Sequence, residues 1–274
     1  MRVAVVGHVE WIEFAVVDHL PVPGEIVHAD EVFQEPGGGG AVAAVQLAKL
    51  AGEATLYTAL GDDELGHRVE ARLAEHGVRV CAVFRPQPQR HGFVHLDTQA
   101  ERTITVIGPR LGPSADDSLP WHELAETDAV YFTAGDAGAV HEARRAGALV
   151  STTRALESLI EARVELDALA SSANDPSERY EDGRLDPAPR LVLRSEGADG
   201  GSFVTSDGRQ GRWEPEPPPG PPVDAYGCGD SFAAGVSYGL GAGLPTDEAL
   251  RLAARCGAAC LTGRGPFEGQ LREA

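Results

Sequence analysis

Lysine and asparagine are almost absent from this chain of 274 residues: Lys49 is the only lysine and Asn174 the only asparagine. The first absence excludes a P-loop nucleotide site, which needs a lysine after a glycine loop and Ser or Thr directly after it. Lys49 stands in an Ala/Leu run and is followed by Leu50. Aromatic residues make up only 6% of the chain, which disfavours an aromatic-lined binding surface. Positive charge is also short, with a formal net charge of −19. A nucleic-acid binder needs a cationic surface to displace phosphate counterions, so DNA and RNA are not expected as partners. The four cysteines, Cys81, Cys228, Cys256 and Cys260, form no CxxC pair and no compact disulfide pattern. No apolar run reaches the roughly 18 residues of a membrane span. The opening apolar stretch, Val3 to Val6, is shorter than a signal-peptide core. The expectation is a reduced, cytoplasmic protein with no membrane contact.

What is present is an alternation of short β-branched runs with Ala/Gly/Leu-rich runs, the pattern of an α/β domain with a largely parallel sheet. Arg2 to Gly7 reads as a buried first strand. Glu13–Val17 and Glu25–Glu35 read as further, half-polar strands around the turn Pro21-Val-Pro-Gly24. Helices are expected at Ala41–Leu50, Glu64–His76 and Ala137–Ala146, and strands at Ala54–Leu60, Ala129–Thr133 and Ala148–Ser151. Three or four short strands fill Val78–Ile107. Arg190–Arg194, Gly201–Thr205 and Arg209–Trp213 complete the strands. The run Glu214–Pro222 (EPEPPPGPP) is a stiff connector that cannot join a sheet ladder. Two helices, about Gly229–Leu240 and Thr246–Thr262, finish the chain.

The segment Asp224-Ala-Tyr-Gly-Cys-Gly-Asp-Ser-Phe-Ala-Ala-Gly235 carries the most chemistry. Gly227 and Gly229 flank Cys228 and allow a tight turn at the mouth of an apolar helix. Free N–H groups and the positive end of the helix dipole make such a mouth an anion site. Asp230 sits there as well, where a carboxylate is unfavourable unless it serves a purpose such as taking a proton from an attacking hydroxyl. A plain N-cap acid is the bland reading of the same residue.

The spacing of Asp224, Gly227, Gly229, Asp230, Phe232 and Gly235 resembles the C-terminal signature of the ribokinase-like (PfkB) carbohydrate kinases. Upstream, Gly37-Gly-Gly-Gly-Ala-Val-Ala-Ala resembles the Gly-Gly motif of that family, and Gly61-Asp-Asp-Glu-Leu-Gly66 its G-x-D-x-x-G element. Pro23-Gly-Glu25 and Glu101-Arg-Thr103 fit its lid and strand patterns. The resemblance runs from Arg2 to about Pro266. It implies one ribokinase-like domain over 1–274: a Rossmann-like, mostly parallel central sheet flanked by helices, with a small β-sheet lid from about 10–35 and 90–107. It further implies ATP-dependent phosphorylation of a hydroxyl group on a sugar or sugar-like molecule, with Asp230 as general base. Gly227, Cys228 and Gly229 would form the anion hole. Nucleotide would lie between the loop of Ser195, Gly197 and Gly200 and the last helix at Cys256 and Gly257. Mg²⁺ would involve Asp175 and Glu178, a monovalent cation such as K⁺ would lie beside Asp224, and the lid would serve as a homodimer contact.

The substrate end departs from the family pattern. Val42 replaces an asparagine of the Gly-Gly motif, and Ile12 falls where the first-strand aspartate belongs. Glu10 and Glu13 flank that position and offer charge-assisted acceptors for hydroxyls. With Gly38 and Gly39 these residues are the candidate acceptor site. In the family's N-x-x-E motif, counting gives Ser172 and Asp175, while a small shift offers Asn174 and Glu178. A frequent asparagine of the last helix falls at Arg255. With apolar Ile12 and Val42 in the pocket wall, an acceptor with an apolar portion is expected. A nucleoside kinase of the same family, or a catalytically weak sugar- or nucleotide-binding sensor, is the alternative.

Other site classes are poorly supported. Gly7 is followed by His8-Val-Glu-Trp11, which does not continue as a dinucleotide-binding glycine motif. His122-Glu-Leu-Ala-Glu126 lacks the second histidine of a zinc protease helix. Asp62-Asp63 opens a helix. Because no lysine is at hand, an arginine is expected to join Mg²⁺ in neutralising the transferred phosphoryl group.

Overall fold

A computed structural model describes residues 1–97 and 102–272. Its order begins with β1 (Val3–Val6), β2 (Glu10–Val16), β3 (Glu31–Gly37), α1 (Gly38–Ala51), β4 (Ala54–Gly61), α2 (Glu64–Glu75) and β5 (Val78–Arg85). β6 (His91–Leu96), β7 (Arg102–Ile107), β8 (Ala129–Phe132), α3 (Ala137–Ala143), β9 (Ala148–Thr152), α4 (Leu156–Ala162) and β10 (Ala168–Ser172) follow. β11 (Leu191–Ser195), β12 (Gly201–Thr205), β13 (Gln210–Trp213), α5 (Cys228–Gly241) and α6 (Thr246–Cys260) complete it.

Nine strands form one sheet in the order β13-β12-β11-β10-β9-β8-β1-β4-β5. Every pair from β11 to β5 is parallel; β12 and β13 add an antiparallel edge. The expected α/β class, with its mostly parallel sheet and separate smaller sheet, is borne out. Central strands are continuous apolar runs because helices cover both faces. Val3, Val5, Leu56, Val150 and Leu193 pack with α1 and α5 on one side, and Ala4, Val6, Val130, Leu149 and Leu169 with α3 and α4 on the other. The chain winds outward from β1 to β4 and β5 on one side and to β8 and beyond on the other. The crevice at the C-terminal ends of β1 and β8 is therefore the switch point where open α/β sheets bind ligands.

A second sheet, β3-β2-β6-β7, stands at that crevice. The strands here differ from those read in the sequence. β2 begins three residues earlier, at Glu10, and β3 occupies only Glu31–Gly37. The stretch 20–30 is a loop because Pro21 and Pro23 break the ladder and the Glu25 carboxylate accepts from Val22 N–H. α1 starts at Gly38, earlier than Ala41, so the glycines themselves form its first turn. α3 is shorter than expected, ending at Ala143. Trp121–Glu126 is a short 3-10 turn in which Trp121 and Leu124 are buried. No helix among the described residues is long and apolar enough to cross a membrane.

Candidate active site

Glu10, at the start of β2, lies opposite Gly37 in the antiparallel register with β3. The hairpin thereby returns the chain to the first turn of α1 beside the residues that leave β1. Gly38 takes φ +79°, and a Cβ there would lie 3.2 Å from the Glu10 side chain. A Cβ on Gly39 would lie 2.8 Å from Asp230 Oδ1. Two carboxylates more than two hundred residues apart thus close on one glycine turn, and the missing side chains make the room.

The opposite wall is the first turn of α5. Asp224 is buried, and its two oxygens accept from Tyr226 N–H at 2.8 Å and Gly265 N–H at 3.0 Å. Those bonds pin the strand-like entry to the turn. Tyr226 in turn accepts from Gly38 N–H at 3.0 Å, tying the two helix mouths together. Gly227 caps α5 at φ +84°, and a Cβ there would press Val42 at 2.8 Å. Gly229 is different, since among the described residues nothing lies within 4 Å of where its Cβ would project. The first N–H groups of α5 have no intrahelical acceptor and face this opening.

Asp230 stands in the same first turn with its side chain 15% exposed. Burial raises its pKa above the ordinary carboxylate range, against the opposing pull of Arg154 and Arg102. Arg154 Nη1 lies 3.7 Å from Asp230 Oδ2, and its Nε donates to Glu178 Oε1 at 2.7 Å. Glu10 accepts from Arg90 Nε at 2.6 Å and lies 3.7 Å from His8 Nε2. Burial pushes the His8 imidazole well below its usual range, reinforced by Arg110, Arg154 and Arg90, which keeps it neutral. His8 Nδ1 and Thr133 Oγ1 are buried at this crevice without a hydrogen-bond partner among the described residues.

The structure does not bring every expected residue to the crevice. Alternation along β2 sends Glu10, Ile12 and Phe14 to one face and Glu13 to the other. There Glu13 accepts from Gln34 at 2.6 Å. Ile12 and Val42 are fully buried in an apolar cluster with Phe14, Val94, Leu96 and Tyr226. They seat the small sheet on α1 and the α5 turn and present no surface to a ligand, which corrects the reading of an apolar pocket wall. Cys256 is likewise fully buried inside α6. Gly257 brings α6 against the α5 turn, its Cβ direction 3.3 Å from the Cys228 carbonyl. Ser195 ends β11, and Gly197 and Gly200, both at positive φ, turn the chain into β12. The carbonyl of Ser195 accepts from Ala173 N–H at 2.9 Å, which sets the Asn174–Glu178 segment beside that loop. Asp175 accepts from Ser177 N–H and Oγ at 2.8 and 2.7 Å.

His8, Arg90, Thr133 and Arg154 were not singled out from the sequence. His8, Thr133 and Arg154 each follow a strand of the main sheet, the place where such folds gather functional residues. That position was the available signal.

A helix mouth with free N–H groups, a carboxylate within it and a guanidinium beside it are the elements that phosphoryl transfer requires. The sequence matches the profile of the pfkB family carbohydrate kinases over residues 1–271, and the chain belongs to that family. It is 29% identical to the fructokinase of Salmonella typhimurium, with 92% of each chain covered. It is 28% identical to an ATP-dependent ribose-1-phosphate kinase of Halopiger xanaduensis, covering 94% of this chain and 91% of that one. The structure of Arabidopsis thaliana ribokinase complexed with ribose and ATP superposes with a TM-score of 0.73 at 20% identity, covering 99% and 96% of the two chains. The protein is a sugar kinase of this phosphotransferase class, and ATP binding follows from the family.

Proposed function

We propose that the protein transfers the γ-phosphoryl group of ATP to a hydroxyl of a sugar, with Asp230 as the general base. The observation that carries this is the placement of a partly buried Asp230 carboxylate in the first turn of α5, against Gly39 of the glycine turn whose Gly38 meets Glu10. A raised pKa makes the ionised Asp230 a better proton acceptor. The acceptor hydroxyl lies between Glu10 and Asp230 and gives its proton to Asp230 as it attacks the γ-phosphorus. Glu10, held by Arg90, accepts from a second hydroxyl, and Gly38 and Gly39 leave the sugar ring room to approach. The neutral His8 and the Thr133 hydroxyl supply further uncharged partners.

Phosphoryl transfer asks the protein mainly for position and positive charge. The N–H groups of Gly227, Cys228 and Gly229 stabilise charge on the transferred oxygens. Arg154 is the arginine that complements them where a lysine is lacking. Lys49, near the far end of α1, is about 15 Å along the helix from Gly39 at the usual rise per residue and donates to the Phe267 carbonyl. Among the described residues no three His, Cys, Asp or Glu side chains cluster to hold a metal. That fits Mg²⁺, which takes one or two carboxylates and draws its other ligands from phosphates and water. Glu178 and Asp175 would hold it, and it would neutralise the nucleotide oxygens. Asp224 has two N–H partners and no described guanidinium within 4 Å, which leaves a buried charge for a monovalent cation to balance. ATP occupies the side of Ser195, Gly197, Gly200 and Gly257.

The face of the small sheet that carries Phe14 and Val94 continues onto β7 as the exposed Ile104 and Val106. This supports the lid as a homodimer contact. The experiment is ATP turnover, by coupled ADP release, over a panel of hexoses, pentoses and nucleosides. Turnover with sugars supports the assignment; ADP release with none of them, alongside measurable sugar binding, favours a sensor.

A further inference from the structure

Three of the four cysteines stand where α5 and α6 meet. Gly257 of α6 packs so close to the α5 turn that its Cβ direction lies 3.3 Å from the Cys228 carbonyl. Cys260, three residues on, lies on the same face of α6. Its thiol reaches the Tyr226 carbonyl at 3.5 Å and the Pro266 carbonyl at 3.8 Å. Tyr226 and Cys228 bracket Gly227, so Cys260 sits directly behind the turn of the anion hole. The Cys228 and Cys260 thiols are hydrogen-bonded to each other. Cys260 is buried, whereas Cys228 is partly exposed, beside the open space that the described residues leave at Gly229. Phosphoryl transfer uses the N–H of Cys228 and leaves both thiols without a task.

A shared hydrogen bond makes the two thiols titrate as a pair. The bond to Cys228 is the first cause that lowers the Cys260 pKa, helped by Ser231, against burial and the charges of Asp224 and Asp230. The same bond, with burial, raises that of Cys228. The pair therefore gives up one proton more readily than an isolated cysteine and holds the second between the sulfurs, so a thiolate is available on either. Cys81, on β5 beside Arg79, has a thiol pushed up by burial, and Cys256 is fully buried inside α6.

We infer that Cys228 and Cys260 form an oxidation site, closed to a disulfide by a peroxide, and that the disulfide switches the anion turn off. The Cys228 thiolate attacks one peroxide oxygen. The O–O bond breaks, leaving a sulfenic acid on Cys228 and a hydroxide that takes up the proton the pair had lost. The Cys260 sulfur then attacks the Cys228 sulfur. The S–S bond forms as the S–O bond breaks, and the oxygen leaves as water with the Cys260 proton. Two thiols are oxidised and one peroxide is reduced to two waters. A disulfide holds its sulfurs about 2 Å apart, closer than a hydrogen-bonded pair. Cys260 is fixed inside α6, so the contraction falls on the turn and draws the N–H groups of Cys228 and Gly229 toward α6. A misplacement of about 1 Å at reacting groups costs on the order of 10²-fold. The effect on turnover rests on the kinase reading; the chemistry of the thiols does not.

The test treats the full, reduced chain with hydrogen peroxide, with and without ATP. Its intact mass should fall by two hydrogens, and peptide mapping should join Cys228 to Cys260. Turnover should drop by about 10-fold or more and return with dithiothreitol, and bound ATP should slow the loss by covering the mouth. Cys228→Ala should keep its own turnover through the treatment. Cys260→Ala should form no disulfide and instead accumulate a sulfenic acid at Cys228 that dimedone labels. A mass that stays unchanged or rises by oxygen alone, or a bond joining other cysteines, would overturn the site. A Cys228–Cys260 bond that leaves turnover unaltered would overturn its control of the anion turn. Should the reduced protein turn over no acceptor, the kinase reading fails while mass and labelling still decide the oxidation site. Calorimetric ATP binding then decides the control: weaker binding in the disulfide form sustains it, and unaltered binding overturns it.

Discussion

Arg154 stands 3.7 Å from Asp230 at the mouth of α5 while its Nε holds Glu178 at 2.7 Å. One guanidinium therefore touches both the carboxylate assigned to the proton and the carboxylate assigned to the metal. Its position is fixed by the end of β9, and its partners come from the segments after β10 and the 224–230 turn. The negative charge of Asp230 is the largest single reason the Arg154 pKa is raised. The coupling has consequences that kinetics can read.

Asp230→Asn keeps the shape of the first turn and removes the proton acceptor. Turnover should fall by about 10²-fold or more, with ATP affinity, followed by calorimetry, little changed. Wild-type turnover in this variant would remove Asp230 from the mechanism.

Asp230 acts only when ionised. Because burial raises its pKa, kcat/KM should climb with pH through that raised value and flatten above it. Arg154 opposes the shift, so Arg154→Gln should move the rising limb to higher pH as well as lowering the plateau. A limb at unchanged pH would show that Arg154 does not act on the Asp230 carboxyl.

The two glycines of the turn should part company. Gly227 sits at φ +84° with Val42 in the way, so Gly227→Val combines backbone strain and overpacking and should cost about 1–3 kcal/mol or more of stability. Gly229 has open space among the described residues, so Gly229→Val should fold with a near-normal melting temperature and lose turnover, because the added side chain enters the phosphoryl path. Paired melting and kinetic measurements check both; a Gly229→Val enzyme with normal kinetics would place the anion hole elsewhere.

Val42→Asn would restore the family residue but bury an amide in the cluster of Ile12, Phe14 and Tyr226. It should destabilise the protein by about 1–3 kcal/mol without a new preference for simple sugars. A gain in pentose or hexose turnover at unchanged stability would mean that position 42 faces the acceptor after all.

Glu10→Gln retains the size of the side chain but loses its charge-assisted acceptance. KM for the sugar should rise by roughly 10-fold, more than kcat falls. An unaltered KM would remove Glu10 from the acceptor site.

The sequence by itself determined the alternating α/β architecture, because fully buried parallel strands must be continuous apolar runs such as VAVV and AVYF. It also determined the turn at 224–230, where Gly227, Gly229 and Asp230 are close neighbours in the chain and their chemistry is local. The alternating pattern of β2 did not reveal its start, since Glu10 and Trp11 become strand residues only through pairing with β3 and β6. Tertiary structure alone decided which side chains meet. Counting along the chain put Ile12 and Val42 in a pocket wall, but packing of the small sheet on α1 turned both into core. Arg90, Arg110 and Arg154 are scattered among the chain's many arginines, and no spacing rule links them. They converge because the loop after β5, the return from β7 and the end of β9 all open onto one crevice. The charge that this crevice concentrates is a property of that topology.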